Sequence, residues 1–199
     1  DLIAASIFKV LQFTKRRPRF RRSLLKKLRL SYETSKKLSI NWDDETAQNL
    51  LLNDLLTDAR VIMETLATVE DPLEKDFVEA VRVLGQVTDQ DVEQTDTGRM
   101  VIKRGTEPER VISVVDPEMR HARKSPSKKI NGYKVSITTD LDSELITGIH
   151  THPANEADSA AVDELLRQQE EMGIDVKVLM GDSAYGSGKQ RQQMEEKGI

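Results

Sequence analysis

The residues of this sequence best placed to do chemistry lie near its carboxyl end. Val178-Leu179-Met180 is an apolar run that closes on Gly181-Asp182. An acid at the carboxyl end of a strand occupies the edge where open α/β sheets bind ligands. On a rigid element, such a carboxylate can hold a hard divalent cation. A plainer role also fits, because Asp side chains bond to backbone amides two residues on and so close turns. Asp116 is a second acid of the same kind, following Arg110-Val111-Ile112-Ser113-Val114-Val115. His150 and His152 share one face of an extended segment, with Asp158 beyond. They offer the beginning of a metal site for a hydrolase, but no third histidine lies close. Gly186-Ser187-Gly188 lacks the lysine-and-hydroxyl pattern of a phosphate-binding loop and reads as a flexible helix entrance. The chain has no cysteine, which excludes disulfides, zinc ribbons and thiol nucleophiles. Any metal must therefore sit on carboxylates, imidazoles or carbonyls, which favours magnesium, manganese or calcium.

These residues need elements to position them. Residues 1 to about 40 read as one helix or two, with Leu24, Leu25 and Leu28 at helical spacing and a break at Pro18. Asn41 to Glu45 supplies a cap and first-turn acids for a helix whose apolar face runs Leu51, Leu52, Leu55, Leu56, Ala59, Ile62, Met63, Leu66. Asp71-Pro72-Leu73-Glu74 opens another helix, carrying Phe77, Val78, Val81 and Leu84 and stopping at Gly85. Residues 86–108 read as a polar loop. The pattern then changes to strands: 110–115, an alternating half-buried strand over 132–140, and its hairpin partner over 145–151 across a turn at Asp142-Ser143-Glu144. An amphipathic helix over 160–172, a strand over 175–180 and a last helix after Gly188 complete the reading.

Composition sets the class. A chain of 199 residues with 37% hydrophobic and 32% charged residues is globular, and no apolar run reaches the length of a membrane span. The net charge of −4 hides a strong asymmetry. Lys9 to Lys37 is densely basic, Asp43 to Asp96 acidic, and Arg120 to Lys134 basic again. The first basic stretch suits either a DNA backbone or a solvated helix face. Arg120, Arg123, Lys124, Lys128, Lys129 and Lys134 flank the proposed site and are the preferred phosphate contacts. Asp1 in place of Met, and Ile199 after Lys-Gly, suggest a piece of something longer, with part of the site outside it.

Gly181-Asp182-Ser183-Ala184-Tyr185-Gly186 resembles the block around the second catalytic aspartate of bacterial insertion-sequence DDE transposases. Asp116-Pro117-Glu118-Met119-Arg120, Lys124 and Asn131-Gly132-Tyr133-Lys134-Val135 resemble an upstream region of that family. Ser143 to Thr147 and Pro153 to Asp158 resemble its next two blocks. The blocks occur in the family's order between about Arg110 and Ile199, and four in order are far more specific than one.

The resemblance implies an α+β (or α/β) chain: a helical segment over 1–108 with a basic start and an acidic insertion, then over 109–199 part of a ribonuclease H-like mixed sheet with flanking helices. It also implies Mg2+ or Mn2+ held by two aspartates and a glutamate, with two ions roughly 3.5–4 Å apart. Asp182 maps onto the second aspartate. Asp1 lies about where the first belongs, although Leu2 replaces the expected Ser or Thr; Asp116 and a residue upstream remain alternatives. The glutamate is expected beyond Ile199, and neither Glu195 nor Glu196 is assigned to it. The implied activity is phosphodiester cleavage and strand transfer on DNA, by a homo-oligomer in the cytoplasm at the nucleoid, with this chain inactive alone. A metal-dependent nuclease or phosphohydrolase, and a catalytically silent DNA-binding remnant, are the rival readings.

Overall fold

The computed structural model describes residues 2–32, 40–90, 92–96, 98, 100–103 and 109–199. They form an α+β protein of two compact units, Asp1–Pro117 and Glu118–Ile199.

The first unit is mainly helical. Helix α1 (Leu2–Phe13) leads through a 3-10 turn at Thr14–Arg16 into α2 (Pro18–Leu25), so the expected break at Pro18 is real. Proline fits there because the first turn of a helix has no use for its missing amide. The Arg21 guanidinium bonds to the Leu11 carbonyl and to Thr14 Oγ1 (3.1 Å), satisfying groups that the end of α1 leaves open. In α3 (Glu45–Ala67) the capping residue is Asp44, whose carboxylate accepts from the amides of Thr46 (2.9 Å) and Ala47 (3.2 Å). Helix α4 (Lys75–Gln90) passes straight through Gly85 instead of stopping there. Glycine costs a helix interior about 1 kcal/mol. Burial of Val87 beyond it offsets that, at about 1.5–3 kcal/mol for such a side chain. Ile7, Val10 and Leu11 of α1, Ala59 and Ile62 of α3, and Val83 and Leu84 of α4 form the core.

Within the segment expected to be a loop, β1 (Val92–Gln94) pairs antiparallel with β2 (Met100–Ile102). The strand expected over 110–115 is absent. Val111 is fully buried, yet the Gln90 side-chain amide stands in for a partner strand: Val111 N donates to Gln90 Oε1 (2.8 Å) and Gln90 Nε2 donates to Val111 O (2.9 Å). Lys9 Nζ donates to the Val114 carbonyl at 2.6 Å. An apolar run needs burial and hydrogen bonds, and side chains supply the latter here. The buried Asp58 of α3 organises the chain after α2, accepting from Arg29 N (2.8 Å), Leu30 N (3.0 Å) and Tyr32 Oη (2.9 Å). Burial and the Asp58 carboxylate together push the Tyr32 phenol far above its ordinary range.

The second unit is an antiparallel sheet in the order β3-β4-β5, formed by β3 (Arg120–Arg123), β4 (Lys129–Thr139) and β5 (Ile146–Pro153), with α5 (Ala161–Glu171) and α6 (Gly188–Lys197). The hairpin lies where the alternation placed it, with Ile137 opposite Ile149. Its turn is tied by Asp140, which accepts from Ser143 N (2.8 Å) and Ser143 Oγ (2.6 Å). The buried face of β4 is the polar one. Ser136 is 1% exposed, whereas Val135 and Ile137 are 56% and 53% exposed. The reason is α5, which packs on the side where Gly148 has no side chain: a Cβ there would come within 2.6 Å of Thr138 Oγ1 and 3.3 Å of Leu165 Cδ2. Gln168 of α5 bonds to both backbone groups of Ile149, at 3.0 and 3.1 Å, and so occupies part of the open edge of β5.

Residues 175–180, expected to be a strand, form no ladder, and Val178 and Met180 are exposed. Apolar side chains favour extended backbone, but a strand exists only beside another strand, and no described strand lies alongside this one.

Candidate functional site

Asp182 opens the turn that follows the extended segment 175–180. Its Oδ1 accepts from Ala184 N at 2.8 Å, its carbonyl accepts from Tyr185 N at 3.1 Å, and the Ser183 carbonyl accepts from Gly186 N at 3.3 Å. The turn-closing role is therefore present, and it uses one carboxylate oxygen. It leaves the metal-binding role open, since an ionised carboxylate has two oxygens and about four lone-pair sites. Asp182 is exposed and lines a cavity of about 570 Å³ together with Ile137, Leu165, Tyr185, Arg191 and Glu195.

Asp1 lies outside the described residues. Asp116 belongs to the first unit, where its amide donates to Ser113 Oγ at 3.1 Å. Among the described residues, no three His, Asp or Glu side chains converge on a point that could hold an ion. Asp182 thus fits one ligand position of a hard cation, and the described residues do not complete a two-ion centre.

The histidine pair forms no metal site among the described residues either. The rings of His150 and His152 stack with centroids 5.6 Å apart and planes 6° from parallel. His152, 2% exposed, meets Ser136 Oγ through Nε2 at 3.2 Å. Asp158 takes the Lys134 ammonium at 2.7 Å.

Of the residues expected to meet phosphate, Arg120 and Arg123 lie on β3, Lys129 begins β4, and Lys124 and Lys128 close the turn between them through Lys124 N to Lys128 O, 2.9 Å. Arg123 stands directly opposite Lys129 in the ladder. Arg123, Lys124, Lys128 and Lys129 are all exposed, and none forms an ion pair among the described residues. The Lys134 ammonium has internal partners, Asp158 and the Glu156 carbonyl at 2.6 Å.

Sequence reasoning passed over Ser136 and the hydroxyl of Tyr185, which meet at 3.1 Å. Tyr185 sits in the informative block around Asp182, and Ser136 is a small polar residue between two apolar ones in a strand. That pattern signals a face, but it cannot say which face is covered.

An α+β protein with a carboxylate on an exposed turn beside a cavity, and a cationic hairpin, has the makings of an enzyme acting on a phosphate backbone. Residues 107–199 match the family model described as the transposase DDE domain, a family that implies a ribonuclease H-like fold. No curated protein and no solved structure matches the chain. Among the described residues, no helix is long and apolar enough to cross a membrane.

Proposed function

We propose that the protein is a DNA transposase that cleaves a phosphodiester and joins the freed strand to a target during transposition of an insertion sequence. The observation that carries this reading is Asp182: an acid with one oxygen engaged in the turn, facing a cavity, inside the matched region. Mg2+ or Mn2+, when bound, would activate the attacking oxygen and stabilise the leaving one. The protein's own contribution at this point is to hold Asp182 as one hard ligand and to keep its turn in one conformation. Asp1 is proposed as the first aspartate, with Asp116 as its in-chain competitor. The hairpin cations Arg123, Lys124, Lys128 and Lys129, with Arg120 beside them, are proposed to bind the phosphates of the element ends and target. A homo-oligomer would bring the ends together, in the cytoplasm at the nucleoid.

Asp182→Asn in the full-length protein tests the assignment. The amide oxygen of Asn still accepts from Ala184 N, so the turn and fold survive while the charge is lost. Cleavage of element-end DNA should fall to background with the circular dichroism spectrum and melting temperature unchanged. Retained cleavage would remove Asp182 from the site. Cleavage by the wild-type protein without strand transfer would favour a nuclease. Salt-sensitive DNA binding without cleavage would favour a silent remnant.

A further inference from the structure

The segment that presents Asp182 has little to hold it. Val178 and Met180 are exposed, and residues 175–180 pair with no described strand. Among the described residues, the hydrogen bond that ties residues 178–186 to the sheet is the one between Tyr185 Oη and Ser136 Oγ, at 3.1 Å. Ser136 is 1% exposed and in turn meets Nε2 of the 2%-exposed His152 at 3.2 Å. The far nitrogen of that ring, Nδ1, is buried without a hydrogen bond, and the nearest carboxylate oxygen, Glu156 Oε2, stands 3.8 Å away, beyond hydrogen-bond reach.

This chain of groups has a direction. A carboxylate on the Nδ1 side favours the tautomer with its proton there, which leaves Nε2 as an acceptor. The single Ser136 hydroxyl proton then points to His152, and Ser136 Oγ is left to accept from the Tyr185 hydroxyl. From Tyr185 through Ser136 to His152 Nε2 each donor meets an acceptor, and His152 Nδ1 is the one polar atom of the three side chains left without a hydrogen bond. Buried hydrogen bonds of this kind hold their members in one arrangement, and breaking one is costly. The Tyr185 side chain also lies beside Gly181: a Cβ on Gly181 would be in ordinary van der Waals contact with Tyr185 Cβ, at 3.5 Å.

We propose that Tyr185, Ser136 and His152 form a positioning relay that anchors the Asp182 turn to the sheet and sets where its carboxylate is held. The inference rests on Asp182 being a metal ligand only for its consequence; the anchoring itself stands on the hydrogen bonds above. Partners that orient a ligand without touching the metal typically matter 10–100-fold for metal affinity or activity.

The decisive variants are Tyr185→Phe, which keeps the ring and removes only the hydroxyl, Ser136→Ala, and the conservative Ser136→Thr. Amide hydrogen exchange of Ala184 and Tyr185, followed by NMR on the chain without metal, reads the turn directly. Tyr185→Phe and Ser136→Ala should speed exchange at these amides about tenfold, while Ser136→Thr leaves it near wild type. In the full-length protein, the first two should raise the Mn2+ concentration for half-maximal cleavage by about tenfold, with the rate at saturating Mn2+ less affected. Unchanged exchange in Tyr185→Phe overturns the relay. Faster exchange with an unchanged Mn2+ requirement, where Asp182→Asn is inactive, overturns its positioning role. Should Asp182→Asn remain active, the metal-ligand reading fails instead, and the exchange measurement alone decides whether the relay anchors the turn.

Discussion

Between Lys9 and Arg29, and again between Arg120 and Lys129, the chain carries dense positive charge, and the fold treats the two stretches differently. In the first, Arg16 pairs with Glu74 (2.5 Å), Arg17 with Asp71 (3.9 Å) and Arg29 with Asp54 (2.8 Å), while Lys9 and Arg21 bond to carbonyls. The acidic stretch that follows in sequence supplies these partners, so much of the apparent footprint is internal. Only Lys15, Arg19, Arg22, Lys26 and Lys27 remain exposed there without an ion pair among the described residues. At the β3–β4 hairpin the ladder sets Arg123 against Lys129, and no described acid answers them. Like charges directly opposite in a ladder destabilise it, by an amount on the order of 0.2–1 kcal/mol. A cationic cluster held at such a cost is where an anion gains most. Charge density along a sequence therefore says little about availability; the acids nearby in space decide it.

The comparison breaks most severely at Asp58, whose carboxylate fixes the end of the first basic stretch through Arg29 N, Leu30 N and Tyr32 Oη. Asp58→Ala leaves these three donors without their acceptor, and urea unfolding should show a loss of about 3 kcal/mol or more, at 1–3 kcal/mol for each unsatisfied group. A loss below about 1 kcal/mol would mean that the first stretch is not held in place by this carboxylate.

A middle-sized effect is expected on DNA binding. Replacing Lys128 and Lys129 by Gln should lower the slope of log affinity against log salt by about 2, near 0.9 for each phosphate contact. Replacing Arg16 and Arg17 by Gln should leave that slope unchanged, because Glu74 and Asp71 of the same unit already pair with them. Filter binding across a salt series checks both, and equal changes in the two variants would erase the distinction drawn above.

The smallest effect concerns Arg167, a paired cation within the second unit, which forks onto Glu164 (2.6 Å) and also reaches Glu171. The hydrogen bonds from Arg167 and Gln168 hold the half-buried Glu164 carboxyl down to about 2, from an ordinary 4.5. A depressed acid stabilises the fold above its unfolded value and loses that contribution as pH falls through the folded one. The small difference in urea midpoint between the wild type and Glu164→Gln should therefore shrink as pH falls from 4.5 towards 2 and vanish below. A difference that persists at lower pH would assign the effect to packing of α5 instead of charge.

Much of this molecule was legible in its residues. The apolar spacing of α3 and α4, the break at Pro18, the alternating hairpin and the amphipathic helix after residue 160 are local, and each follows from backbone geometry and side-chain periodicity over a few residues. The block Gly181 to Gly186 pointed to Asp182 and to the family that residues 107–199 match. What the residues could not reveal depended on partners distant in sequence. Val111 has a glutamine side chain where a strand was expected, and residues 175–180 have no described strand beside them, because extended apolar sequence does not name its neighbour. The face of β4 that α5 covers was decided by the small Gly148 and by Gln168 reaching Ile149, contacts that no alternation pattern encodes. So the sequence alone determined the local elements, the informative acid and the distribution of charge. Only tertiary structure decided which cations keep their charge available and which hydroxyl holds the Asp182 turn, since both depend on distances between residues far apart in the chain.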